Sequence, residues 1–156
     1  MIFRKVSREN TDEKAEPRII VEKMIGNGSW INDYKIYCFK GEPKIMLLVQ
    51  DRGPKEKRTF VNIENWDILP IKRKKAKINP NVKKPEKLDE MISVARILSK
   101  DFPFVRIDFY QAEDKIYVGE MTFSPGLFLS INPPEWDMKL GNLLDLRDII
   151  NKGECK

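Results

Sequence analysis

The alternation of apolar and polar positions divides the chain into two strand-forming stretches around one helix. Residues 18–25, Arg-Ile-Ile-Val-Glu-Lys-Met-Ile, form a β-branched run that predicts a strand. The cluster Gly26-Asn-Gly-Ser29 predicts a loop, residues 34–39 alternate as a strand, and Gly41-Glu-Pro43 turns the chain into an apolar strand over residues 44–50. These pieces together predict an antiparallel meander. Residues 51–85 carry two apolar patches, around Phe60 and Trp66, with Pro70, Pro80 and Pro85, and predict irregular, exposed chain. Over residues 86–101, Leu88, Met91, Ile92, Ala95 and Leu98 recur on one helical face, with Pro85 placed for the first turn. That helix needs the sheet as its partner.

Residues 104–110 alternate cleanly, residues 111–114 predict a polar turn, and residues 115–122 predict the returning strand of a hairpin. Pro125-Gly126 ends it, residues 132–134 predict a loop, and residues 138–150 have the spacing of a terminal helix. The fold class is therefore α+β, a mainly antiparallel sheet with packed helices. Residues 1–17 are polar without a period and predict a lead-in, residues 18–150 the folded unit, and residues 151–156 a tail.

Composition narrows the chemistry. The 156 residues suit one domain with one modest core, and they include no histidine, which removes Ser-His-Asp and Cys-His catalysis and every histidine metal site. Catalysis would have to run on carboxylates, lysines, arginines and bound metal. Cys38 and Cys155 are the two cysteines, too few for a disulfide framework or a four-thiolate zinc site, which predicts a reducing, cytoplasmic setting. The first 18 residues are too charged for a secretory signal, and the apolar run at residues 45–49 falls far short of the roughly 20 residues that span a bilayer.

The net charge of +5 is unevenly spread. Residues 72–87 hold eight Lys or Arg against Glu86, so this segment carries +7 and the rest is slightly acidic. Such a block suits a polyanion-binding module, yet no aromatic residue is interleaved to stack bases, which argues for a solvated basic linker and against nucleic acid.

Candidate chemistry lies on the hairpin. Arg106 and Asp108 leave one face of their strand while Val105, Ile107 and Phe109 take the other to the core, and Glu120 and Thr122 share a face of the next strand. Two carboxylates beside an arginine suit Mg²⁺ and phosphate oxygens. Asp108 falls opposite Glu120 if the loop is three or five residues around Asp114, or if a bulge intervenes. A four-residue loop over 111–114 sends the two acids to opposite faces. Plain surface charges on a half-exposed hairpin remain the alternative.

The run Val105-Arg-Ile-Asp-Phe-Tyr, then Ile116-Tyr-Val-Gly-Glu-Met-Thr-Phe-Ser-Pro-Gly126, continuing through Asn132-Pro-Pro-Glu-Trp-Asp-Met-Lys-Leu-Gly141, resembles the C-terminal signature of the ATP-grasp superfamily, and within it the TupA-like branch named for teichuronopeptide biosynthesis. In that superfamily an aspartate and, on the next strand, Glu-x-Asn-x-x-Pro-Gly bind the magnesium ions that bridge the ATP phosphates. The resemblance implies Asp108, Glu120 and Thr122 as metal ligands, with Thr122 standing where most of these enzymes have Asn, and Arg106 as the phosphate or acyl-phosphate contact. Leu127-Phe-Leu129 departs from the small residues that usually follow Pro-Gly. Earlier, Ile19-Ile-Val-Glu22-Lys23-Met24 resembles the hinge strand that holds adenine, and Asp33-Tyr-Lys35 resembles an acid for the ribose hydroxyls followed by a base facing the nucleotide.

The resemblance covers residues 17–146 and implies the C-terminal half of an ATP-grasp fold. A complete unit also has an earlier domain, a glycine-rich phosphate loop and further strand lysines, and residues 1–16 show none of these. The expectation is a fragment, or one part of a split enzyme completed by a separate N-terminal ATP-grasp polypeptide. The implied activity is ATP-dependent ligation of a carboxylate, with ATP and Mg²⁺ as cofactors and a carboxylate or polymer acceptor in cell-surface polysaccharide or peptide-polymer synthesis. The alternatives are the polyanion-binding module on residues 72–87 and a non-catalytic ATP-grasp remnant.

Overall fold

The computed structural model describes residue 19 and residues 21–26, 31–72, 76–125 and 133–147. The polar lead-in, residues 27–30, residues 73–75 of the basic segment, residues 126–132 and the tail lie outside the described residues. Five strands, β1 (Asp33–Phe39), β2 (Glu42–Gln50), β3 (Lys57–Asn62), β4 (Phe104–Ala112) and β5 (Lys115–Thr122), form one sheet in the order β3-β2-β1-β4-β5 with every pairing antiparallel. Helices α1 (Leu88–Ser99) and α2 (Pro134–Gly141) complete an α+β fold. Among the described residues, no helix is long and apolar enough to cross a membrane.

The period of two along the strands sends apolar residues to both faces. One face carries Ile36, Cys38, Met46, Leu48, Val61, Val105, Ile107 and Phe109 against Leu88, Met91 and Ala95 of α1. The spacing of those three helix positions is the stripe that the sequence predicts, and Asp89, Glu90 at its start and Arg96 at its end complement the helix dipole. The second face buries Tyr37, Phe39, Ile45, Leu47, Val49 and Phe60 under Leu69, Ile71 and Leu140, with Trp136 packed beside them. That cover lies over β1, β2 and β3. It leaves the part of the face built from β1, β4 and β5 for charged residues.

Three elements differ from the sequence pattern. The β-branched run at residues 18–25 forms no strand among its described members, and Ile19, Val21 and Met24 are highly exposed. A strand needs a neighbour for its backbone hydrogen bonds, and here both edges of the sheet are β3 and β5. β3 arises within residues 51–85, where irregular chain was expected. Its six residues hold one large apolar side chain per face, too short a pattern to stand out from its surroundings, and pairing with β2 creates it. Helix α2 begins at Pro134, because proline suits the first turn and Glu135 and Asp137 favour the positive end, so Pro134 starts the helix where a loop was expected.

The β4-β5 hairpin turns on two residues, Glu113 and Asp114, both with positive φ, the geometry that matches the twist of the flanking strands. That turn alone would place Glu120 opposite Ile107, on the α1 face. Instead the register shifts between Asp108 and Phe109, Gly119 is the extra residue, and Glu120 falls across from Asp108. A Cβ on Gly119 would lie 2.6 Å from Cε2 of Tyr110, so the Tyr110 ring lies directly over the glycine. Gly41, at φ 79° in the β1-β2 turn, has the backbone of Lys100 just beyond α1 as its close neighbour.

Two outcomes follow from this packing. Gly119→Ala should lower the unfolding free energy by about 1–3 kcal/mol, and Tyr110→Ala in the same chain should recover part of it; additive losses in denaturant titration would show that the ring contact is not the cause. Burial pushes the Cys38 thiol from 9.0 up to about 11. The fold holds the neutral thiol, so that contribution is complete below pH 9 and disappears as the pH rises to 11, amounting to about 2–3 kcal/mol. Stability measured between those two pH values should fall more steeply in the wild type than in Cys38→Ala.

Candidate active site

Positions 33 and 35 of β1, positions 106, 108 and 110 of β4, and positions 120 and 122 of β5 all face away from α1. Cross-strand register brings them together: Lys35 is opposite Asp108, Asp33 opposite Tyr110, Asp108 opposite Glu120, and Arg106 opposite Thr122. Asp33 is fully enclosed and Asp108 is 2% exposed, so both carboxylates need partners.

Those partners are cations. The Lys35 ammonium sits between the two acids, donating to Asp108 Oδ2 and lying 2.9 Å from Asp33 Oδ2. Arg106 makes a two-point contact with Asp108, Nε to Oδ1 at 2.6 Å and Nη2 to Oδ2 at 2.9 Å. The same Nη2 donates to Thr122 Oγ at 2.8 Å and lies 3.7 Å from Glu120 Oε2. Arg52, just beyond β2, reaches back to Asp33 Oδ2 through its Nη2. Asp33 Oδ1 is buried without a hydrogen-bond donor among the described residues.

The pKa shifts follow from this arrangement. Burial works against the charged Arg106, but its hydrogen bond to Asp108 and the Asp108 charge outweigh it, with help from Tyr37 and Glu120, and raise the guanidinium above its ordinary value. Arg52 is raised in the same way, burial opposing and Asp33 prevailing. The Tyr110 phenol is raised first by burial and then by the negative charge of Asp33. The two arginines and Tyr110 therefore hold their protons, and this face presents fixed donors.

The three cations Lys35, Arg52 and Arg106 balance the three acids Asp33, Asp108 and Glu120. Glu120 is the open member, its side chain 62% exposed. Arg106 has Nε and Nη2 engaged, and among the described residues its Nη1 has no hydrogen-bond acceptor. Among the described residues, no cluster of three or more acidic or cysteine side chains is placed to enclose a metal ion. The protein can offer the Asp108-Glu120 pair and the Thr122 hydroxyl, a set that suits a cation sharing its coordination with phosphate oxygens.

Of the residues singled out from sequence, the structure gathers Asp33, Lys35, Arg106, Asp108, Glu120 and Thr122 on one face. Glu22, Lys23 and Met24 lie in exposed chain outside the sheet. Sequence reasoning missed Arg52 and Tyr110. Tyr110 was findable, since the two-residue spacing of 106, 108 and 110 puts it on the same face. Arg52 could be placed only by knowing that β1 and β2 pair so that Asp33 lies opposite Val49, at the end of β2 where Arg52 follows.

A family model described as TupA-like ATPgrasp matches residues 2–145. No curated protein and no solved structure matches the chain.

The buried ion cluster has a measurable consequence. Lys35→Met leaves two enclosed acids short of a cation and should cost about 3 kcal/mol of stability, whereas Glu120→Gln at its exposed position should change it by less than about 0.5 kcal/mol. Adding Asp33→Asn to Lys35→Met should recover part of the loss, and chemical denaturation of the four chains measures each step. Equal, small losses for Lys35 and Glu120 would show that the cluster is not paired as described.

Proposed function

Since the chain belongs to the TupA-like ATP-grasp family, a nucleotide-binding, ligase-type module, we propose that its open sheet face binds ATP with magnesium as the C-terminal part of a carboxylate-amine ligase. The observation that carries this reading is the cross-strand pair Asp108 and Glu120, brought to one face by the Gly119 bulge with Arg106 beside it. A charge-balanced face has little net attraction for a polyphosphate. Asp108 and Glu120 would hold a divalent cation, whose positive charge would neutralise phosphate oxygens.

In this reading Asp108 would be the enclosed ligand, held in place by Arg106 and Lys35, and Glu120 the exposed one, with the Thr122 hydroxyl beside them. Arg106 offers Nη1 to a phosphate or acyl-phosphate oxygen, and its raised pKa keeps it charged throughout. Lys35, which neutralises Asp108 and Asp33, would face the phosphates from that same position. Asp33 is enclosed, so its share in ribose binding runs through Arg52, whose side chain is 41% exposed. Glu22, Lys23 and Met24, exposed and outside the sheet, are free to line adenine when an opposite wall is present. A preceding ATP-grasp part, in a longer form of the same protein or on a separate polypeptide, would supply that wall and the phosphate loop. The acceptor would be a carboxylate or polymer in cell-surface polysaccharide or peptide-polymer synthesis, on the cytoplasmic side.

Thermal unfolding with and without Mg-ATP tests the reading. A ligand present at one hundred times its Kd adds about 2.7 kcal/mol, so the wild type should show a clear magnesium-dependent rise in Tm. Glu120→Gln and Asp108→Asn should each lose the magnesium-dependent part. No magnesium-dependent shift in the wild type would overturn the proposal, and a shift without nucleotide turnover, even after adding an N-terminal ATP-grasp partner, would mark a binding remnant.

A further inference from the structure

The opposite, α1-bearing face carries a groove of about 450 Å³ at the end of the sheet, inside the roughly 300–1,000 Å³ of small-ligand sites. Its floor is Asn32, Tyr34, Gln50 and Gln111, from the ends of β1, β2 and β4, and its wall is the chain through residues 79–86 that leads into α1. This wall is pinned rather than loose. The Asn79 backbone N–H donates to Thr59 Oγ at 2.9 Å, the Trp66 indole N–H donates to the Val82 carbonyl at 3.3 Å, and the Lys87 N–H donates to Gln111 Oε1 at 3.4 Å.

Among the described residues, the hydrogen bonds around the groove consume acceptors and leave donors. Asn79 Oδ1 accepts the Asn81 N–H at 3.1 Å, so its amide nitrogen points to Gln50 Oε1 at 3.0 Å, which leaves the Gln50 Nε2 protons over. Gln111 Oε1 is taken by Lys87, leaving its Nε2 protons as well. The Tyr34 oxygen accepts from Asn32 at 3.3 Å and keeps its own O–H to donate. Lys83 and Lys84, both exposed, line the same groove and add two ammonium groups. Among the described residues the side-chain acceptors that remain are the Asn32 and Asn81 amide oxygens and Glu86.

We propose that this groove is a second binding site, for a small polyhydroxylated anion such as a sugar phosphate or a sugar acid. The donor surplus of Gln50, Gln111, Tyr34, Lys83 and Lys84 takes the anionic oxygens, and the few acceptors take hydroxyl protons. The site is separate from the nucleotide face, since Tyr34 and Gln111 alternate with Asp33 and Tyr110 and so leave the other side of the sheet. It also assigns a use to the basic segment: Lys83 and Lys84 act as part of a shaped pocket, not as a polyanion track.

Gln50 and Gln111 are the two glutamines of the chain, so ¹⁵N labelling of glutamine side chains isolates the signals of the groove. Titration of the full chain with glucose 6-phosphate and, in a second arm, with glucuronate should move both amide pairs, and the tighter arm identifies the anionic group. Neutral glucose and inorganic phosphate should bind at least tenfold more weakly than the better anion. The exposed double variant Lys83→Gln/Lys84→Gln should weaken that anion at least tenfold, while Glu120→Gln on the far face should leave its affinity unchanged. The proposal is overturned if neither anion moves the two amide pairs, if glucose binds as well as the anions, if the lysine variant binds normally, or if Glu120→Gln abolishes binding. Because the groove and the nucleotide face are read by different variants, either proposal can fail alone.

Discussion

Two carboxylates enclosed in a sheet must be neutralised where they stand, and the Lys35 ammonium between Asp33 and Asp108 meets that requirement. One cation on β1 thereby ties its own strand to β4, and Arg106 extends the connection to β5 through Thr122. The central strands carry the ion pairs on one face and the apolar contacts with α1 on the other. Sheet register and charge pairing therefore depend on each other. A slip of one residue would send the acids into the apolar core and the core residues to the open face.

The same constraint explains the hairpin. A two-residue turn suits the strand twist, but it would turn Glu120 away from Asp108, and the single extra residue at Gly119 reconciles tight turn with shared face. A Cβ there would press on the Tyr110 ring and force one of them to shift. Tyr110 thus closes the bulge at one end while its phenol, opposite Asp33, borders the ion cluster at the other. Local backbone geometry and the placement of an exposed carboxylate are one problem with one solution.

The sheet also separates two chemistries. Its open face, balanced in charge, carries Asp108 and Glu120 beside Arg106, whereas the groove on the α1-bearing face holds spare N–H and O–H donors and two lysines. The segment between β3 and α1 makes the second possible. Its asparagine and tryptophan bonds hold it along the sheet edge, so the basic residues that survive this pinning are presented in a fixed wall.

Much of this was legible along the chain. The alternation at 104–110 and 115–122, the α1 stripe at 88, 91 and 95, and the Arg106-x-Asp108 and Glu120-x-Thr122 spacings are local, so period alone assigned their elements and faces. The β-branched run at 18–25 and the strand at 57–62 were not, because a strand exists only by virtue of a neighbour, and the neighbour is not written in its own residues. By itself the sequence determined which side chains share a face within one strand and that their chemistry is carboxylate, lysine and arginine without histidine. The tertiary structure alone decided which faces meet. Lys35 finds Asp108 from 73 residues away and Arg52 returns to Asp33 across a hairpin, because charges enclosed by packing must be paired by whatever cation the strand order brings within reach.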